Sequence, residues 1–86
     1  MKKEDKISLQ GLTDRFNSLK KQFNEGYSVL EESHTLMIDV INFREGFPED
    51  SMDADVLKLD DLYFDVDDLI KEQNEEFVVD NYGEYF

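Results

Sequence analysis

The apolar positions of this chain fall into two helical stripes separated by one short interruption. The first runs Leu9, Leu12, Phe16, Leu19, Phe23, Tyr27, Leu30, Met37, Val40 and Ile41. Counted in sevens from Leu9, position a holds Leu9, Phe16, Phe23, Leu30 and Met37, and position d holds Leu12, Leu19, Gly26, Ser33 and Val40. This single phase predicts one long helix over residues 8–44, with Ser8 as its N-cap and residues 1–7 frayed. Gly26 costs a helix interior about 1 kcal/mol relative to Ala. The phase nevertheless crosses Asn24-Glu25-Gly26 without a slip, which favours a straight helix over two helices hinged at Gly26. From Leu36 to Phe43 apolar residues cover most of the circumference, the pattern of a segment buried on several sides.

Gly46 and Pro48 end this helix and set a turn over residues 45–52. A second helix is expected over residues 53–76, capped by Ser51 or Asp53. Its stripe is Val56, Leu59, Tyr63, Val66, Ile70 and Phe77, widened by Leu62 and Leu69. The short connection makes the two helices antiparallel. The first would be about 55 Å long and the second about 35 Å, so Leu9, Leu12, Phe16 and Leu19 are left without cover. Residues 77–86, rich in aromatic and β-branched side chains, read as an extended tail. Either that tail or a second chain must cover the exposed stripe, and a second chain is the preferred reading. Leu9, Leu12, Phe16, Leu19 and Phe23 are then the self-association face of a homodimer. The expected fold is all-α: one domain over residues 1–86, an antiparallel helical hairpin of one long and one shorter helix with an extended aromatic tail, in a dimer.

Charge adds a second level. The chain carries a formal net charge of −13. Residues 1–24 hold six bases against three acids, while residues 25–86 hold nineteen acids against three bases. Such a surface repels nucleic acid and anionic membrane and attracts basic proteins. There is no Cys, no apolar run near the ~20 residues of a membrane span, and no apolar segment after Met1–Lys6 to form a signal peptide. Cytoplasmic residence is expected, in the host cytoplasm if the chain is phage-encoded.

Candidate chemistry is sparse. His34 is the sole histidine, so with no Cys a structural zinc site is excluded. It lies near the apolar edge and reads as a packed residue. Asp53-Ala-Asp55 and Asp65-Val-Asp67-Asp68 lack the glycine of a calcium loop and sit on a helical pattern. Isolated glycines make no phosphate loop, and two helices offer no obvious cleft for a nucleophile and base. No catalytic residue, metal or cofactor is expected, and the chain reads as a non-enzyme.

The acids of the second helix are sorted. Asp61, Asp65, Asp68, Glu72, Glu75 and Glu76 fall opposite the apolar stripe, and Asp53, Asp60 and Asp67 form a second row at a spacing of seven. Ordinary exposed faces mix signs at i, i+4, whereas like charges at that spacing destabilise a helix. Ten acids oppose two lysines between Asp53 and Glu76. That is one net charge per ~4 Å of helix, against one per ~3.4 Å in a nucleic acid strand. Leu57 and Phe64, seven apart, lie in the gap between the acid rows. In size, charge and helical acid rows the chain resembles, at class level, the small acidic DNA-mimic proteins of phages and mobile elements. That resemblance implies a basic nucleic-acid-binding protein as partner and no direct nucleic-acid binding. Asp60, Asp61, Asp65, Asp67, Asp68, Glu72, Glu75 and Glu76 would be the phosphate surrogates and Phe64 an apolar anchor.

The alternative is a structural, secretion-associated, antitoxin or immunity-type interaction protein. In length and architecture the chain is similar to the Trp-x-Gly family of small exported hairpins. Its turn, however, reads Phe43-Arg-Glu-Gly46 without Trp, and Tyr63-x-x-x-Asp67 lies inside the expected second helix. The ending Gly83-Glu-Tyr-Phe86 looks loosely like the acidic, Phe-ending tails of bacterial single-strand-binding proteins.

Overall fold

A computed structural model describes the backbone of residues 1–85 and the side chains of residues 1–73. Within that range the chain is all-helical and has no strand. There are three helices: α1 (Lys3–Asn24), α2 (Leu30–Arg44) and α3 (Ala54–Tyr85).

The expected long helix is therefore two helices. α1 ends in a Schellman motif: the Gly26 N–H donates to the Phe23 carbonyl at 3.0 Å and the Tyr27 N–H to the Gln22 carbonyl at 3.0 Å. The motif needs a left-handed residue at its centre, and Gly26 takes φ +100°. The unbroken heptad count concealed a shift in one of its two apolar lines. α1 buries Leu9, Leu12 and Leu19, on the a and d lines. α2 instead buries Ser33, Leu36 and Val40, with Val29 buried at its N-cap. The d line carries on through the buried Ser33 and Val40, but the a line has moved one residue back, from Leu30 and Met37 to Val29 and Leu36.

Polar contacts at the helix ends define the topology. Arg15 reaches Asp39 at 2.7 Å, so α1 and α2 are antiparallel. Arg44 meets Asp60 at 2.7 Å while the Val29 N–H meets Gln73 at 3.1 Å, so α2 and α3 are also antiparallel. α1 and α3 are thus parallel, with Lys6 near Asp55 and Lys20 bonded to Glu72. One core unites Leu9, Leu12 and Leu19 of α1 with Val29, Leu36, Val40 and the α3 residues Leu59, Leu62, Val66, Leu69 and Ile70. Phe16 and Phe23 pack against it, half-buried.

This core removes the length mismatch. Folding back at Gly26 lays α1 along α3, so the chain itself covers Leu9, Leu12 and Leu19. The assignment of Leu9, Leu12, Phe16, Leu19 and Phe23 to self-association rested on an uncovered stripe; Leu9, Leu12 and Leu19 are buried within the chain and Phe16 and Phe23 half-buried, which removes that premise. α2 is also less enclosed than its sequence implied: Ile38 is 59% and Ile41 38% exposed.

α3 starts where expected. Asp53 is its N-cap, with Oδ1 accepting from the Asp55 N–H at 2.8 Å, and the Leu57 N–H donates to the Asp53 carbonyl at 3.0 Å. The helix continues past Glu76, so the backbone of residues 77–85 is helical where an extended tail was expected. Phe86 and the side chains of residues 74–85 lie outside the described residues, including those of Glu75, Glu76 and Phe77. Gly46 follows the end of α2 but takes no left-handed conformation. Arg44 organises the turn instead. Beyond Asp60 its guanidinium donates to the carbonyls of Phe47, Pro48 and Glu49 at 3.2, 3.0 and 3.2 Å. The Phe47 ring packs edge-on against Phe43 at 5.3 Å between centroids. No helix of the described residues is long and apolar enough to cross a membrane.

Candidate protein-binding face on α3

The stripe that packs α3 against α1 and α2 leaves its opposite side to solvent. Asp61, Asp65, Asp68 and Glu72 are exposed there, as the helical spacing predicted. Their electrostatic states differ. Glu72 is bonded to Lys20 of α1 at 3.2 Å, Asp67 to Lys71 at 2.8 Å, and Asp60 to Arg44 at 2.7 Å. Asp61, Asp65 and Asp68 have no ion pair among the described residues. The second acid row is therefore largely structural: Asp53 caps α3, and Asp60 and Asp67 are each held by a cation. The free row is Asp61-Asp65-Asp68.

The basic half of the sequence supplies three of these clasps. Lys6, Arg15 and Lys20 of α1 meet Asp55, Asp39 and Glu72. The charge asymmetry along the chain is in part an internal complementarity that seats α1 on α2 and α3. Most of these pairs are solvent-exposed, so each adds little stability by itself while opposing the wrong helix order.

Among the described residues two titrations are shifted. Asp53 lies below the usual carboxylate range, first through its hydrogen bond to the Met1 amino group at 2.7 Å and then through the Asp55 N–H. Lys71 is raised by its hydrogen bond to Asp67 and by the charge of that carboxylate. Both shifts come from contacts that frame α3: its N-cap and an i, i+4 pair along it. Among the described residues no three His, Cys, Asp or Glu side chains converge as a metal site. His34, expected to be packed, is exposed on α2.

Beside the free acid row lies an open groove of about 700 Å³ between the C-terminal turn of α2 and the first half of α3. Its apolar wall is Ile41, Phe47, Tyr63 and Phe64, and its polar edge is Arg44, Glu45, Glu49 and Asp60. Tyr63, placed in the core stripe by its spacing, is 37% exposed. It packs edge-on against Phe64 at 5.5 Å between centroids. Phe64 is 61% exposed. Leu57, seven residues earlier, is also exposed but does not line this groove. Sequence spacing singled out Phe64 and the acid row. It missed Ile41, Phe47 and Tyr63 as one surface, which the packing of α2 on α3 and the turn clasped by Arg44 bring together.

The chain matches no protein-family model, no curated protein and no solved structure.

Proposed function

We propose that this protein binds a basic, nucleic-acid-binding protein through the exposed side of α3 and blocks that protein's nucleic-acid site. The observation that carries the reading is the row Asp61-Asp65-Asp68, three exposed carboxylates without a cation among the described residues. Like charges at i, i+3 and i, i+4 destabilise an isolated helix. Their retention on one face fits a surface that a partner neutralises. Axial steps of ~6 and ~4.5 Å between these residues compare with ~3.4 Å per phosphate along one strand. The internal pairs of Asp60, Asp67 and Glu72 lower the free charge density below the value from the sequence alone. A single protomer then offers a sparse single-strand-like row, and no duplex-like density is invoked.

The test is capture of basic proteins from a cell extract by the immobilised chain, with elution by about 0.5 M salt, where screening reaches only a few ångströms. Single-stranded DNA should compete for the captured protein. The triple variant Asp61→Asn, Asp65→Asn, Asp68→Asn should lose capture while remaining folded, because it removes repulsion and no pairing. A captured protein indifferent to salt, DNA and this variant refutes the reading.

A further inference from the structure

The groove beside the acid row has a specific chemistry. Every α3 position three or four residues from Phe64 is aspartate: Asp60, Asp61, Asp67 and Asp68. On a helix these positions are its surface neighbours. An exposed aromatic ring is thus surrounded by carboxylates, two of which, Asp61 and Asp68, have no ion pair among the described residues. Tyr63 holds the ring edge-on, with an angle of 86° between the two planes, and the ring remains 61% exposed. Immediately beyond lies the apolar wall of Ile41 and Phe47. The one cation lining the groove among the described residues, Arg44, is committed to Asp60 and to three backbone carbonyls of the turn, so it does not offset the rim acids Glu45 and Glu49.

Resting on the function proposed above, we infer that the groove takes a basic protein segment in which an apolar side chain lies next to an arginine. The apolar side chain fills the space between Ile41, Phe47 and Tyr63. The guanidinium stacks on Phe64 and hydrogen-bonds Asp61 or Asp68. Arginine fits this place better than lysine: its plane stacks on a ring while its N–H fork meets a carboxylate, and it is more weakly hydrated. Charge complementarity names the occupant. An acidic or purely apolar segment would leave the carboxylates beside Phe64 unneutralised. The groove also gives the partner a fixed register, which a row of carboxylates alone does not.

The probe is a synthetic helical peptide with one leucine flanked by arginines, titrated into isotope-labelled protein and followed by amide shifts and fluorescence anisotropy. Phe64→Ala, at an exposed site and with unchanged net charge, should weaken binding at least tenfold. Replacing the peptide's arginines by lysine, or its leucine by alanine, should weaken it several-fold. Shifts should include Ile41, Phe47 and Tyr63. Binding that survives Phe64→Ala, with shifts confined to Asp61–Glu72, overturns the groove while leaving the acid-row reading in place. Absence of binding by any basic peptide overturns both. Concentration-dependent self-association abolished by Phe64→Ala would assign the groove to a second copy and overturn the proposal.

Discussion

Gly11 and Gly26 offer the same substitution in opposite backbone settings. Gly11 lies inside α1 and Gly26 in the turn that follows it. A methyl group added at either meets nothing within 4 Å. Steric clash is therefore absent at both, and the outcome rests on the backbone alone. At Gly11 the backbone is helical, and alanine should stabilise the fold by roughly 0.5–1 kcal/mol. At Gly26 the backbone stands at φ +100°. An L-residue held in the left-handed half of conformational space costs roughly 1–2 kcal/mol. The two variants should differ by about 1.5–3 kcal/mol, which for a chain of this size is on the order of 6–24 °C in Tm. Thermal and urea melts followed by helical circular dichroism measure both. Gly11→Ala should melt above the parent and Gly26→Ala below it. If Gly26→Ala instead rises with Gly11→Ala and adds helical signal, residues 24–29 form a straight helix. The Schellman turn, and with it the cover over Leu9–Leu19, would then be wrong.

Further outcomes follow from the same structure. Gln73 accepts from the Val29 N–H at 3.1 Å and donates to Ser33 Oγ at 3.4 Å and to the Leu69 carbonyl at 3.2 Å. Gln73→Ala should therefore cost roughly 1–3 kcal/mol by leaving a donor at the start of α2 unpaired, seen as faster hydrogen exchange at Val29. Leu12→Ala and Leu19→Ala should each cost about 2–5 kcal/mol through core cavities, with melts independent of protein concentration. A concentration-dependent loss would mean that these residues serve a dimer. Because the folded pKa of Asp53 lies below its ordinary value, its contribution is complete above about pH 4 and is lost as pH falls through the folded value. Asp53→Asn should accordingly melt below the parent at pH 6, with the difference shrinking by pH 3. The run of like charges on α3 predicts a Tm that rises between about 0.02 and 0.3 M salt.

Much of this protein was legible in its residues. The start of the second helix, a cap at Ser51 or Asp53, most of its buried stripe and the exposed acids Asp61, Asp65, Asp68 and Glu72 follow from a period of 3.6, because amphipathic spacing is a local property of one helix. The first helix misled for a physical reason. Helices that share one core carry similar stripes, so a heptad count cannot tell a straight continuation from a fold-back. The distinguishing signal was small: a glycine able to take positive φ, and apolar residues at Val29 and Leu36, one place before the a line.

The amino-acid sequence determined the helical class, the start of α3 and the side on which Asp61, Asp65, Asp68 and Glu72 face water. Only the tertiary structure decided that the chain covers its own α1 stripe. Only it decided which carboxylates are neutralised, since Lys20–Glu72 and Arg44–Asp60 pair residues far apart in the chain. The same holds for the groove. Ile41, Phe47 and Phe64 lie on α2, the turn and α3, and no periodicity within one element relates them. Their meeting depends on the α2–α3 turn clasped by Arg44, a three-dimensional constraint that spacing along the chain does not encode.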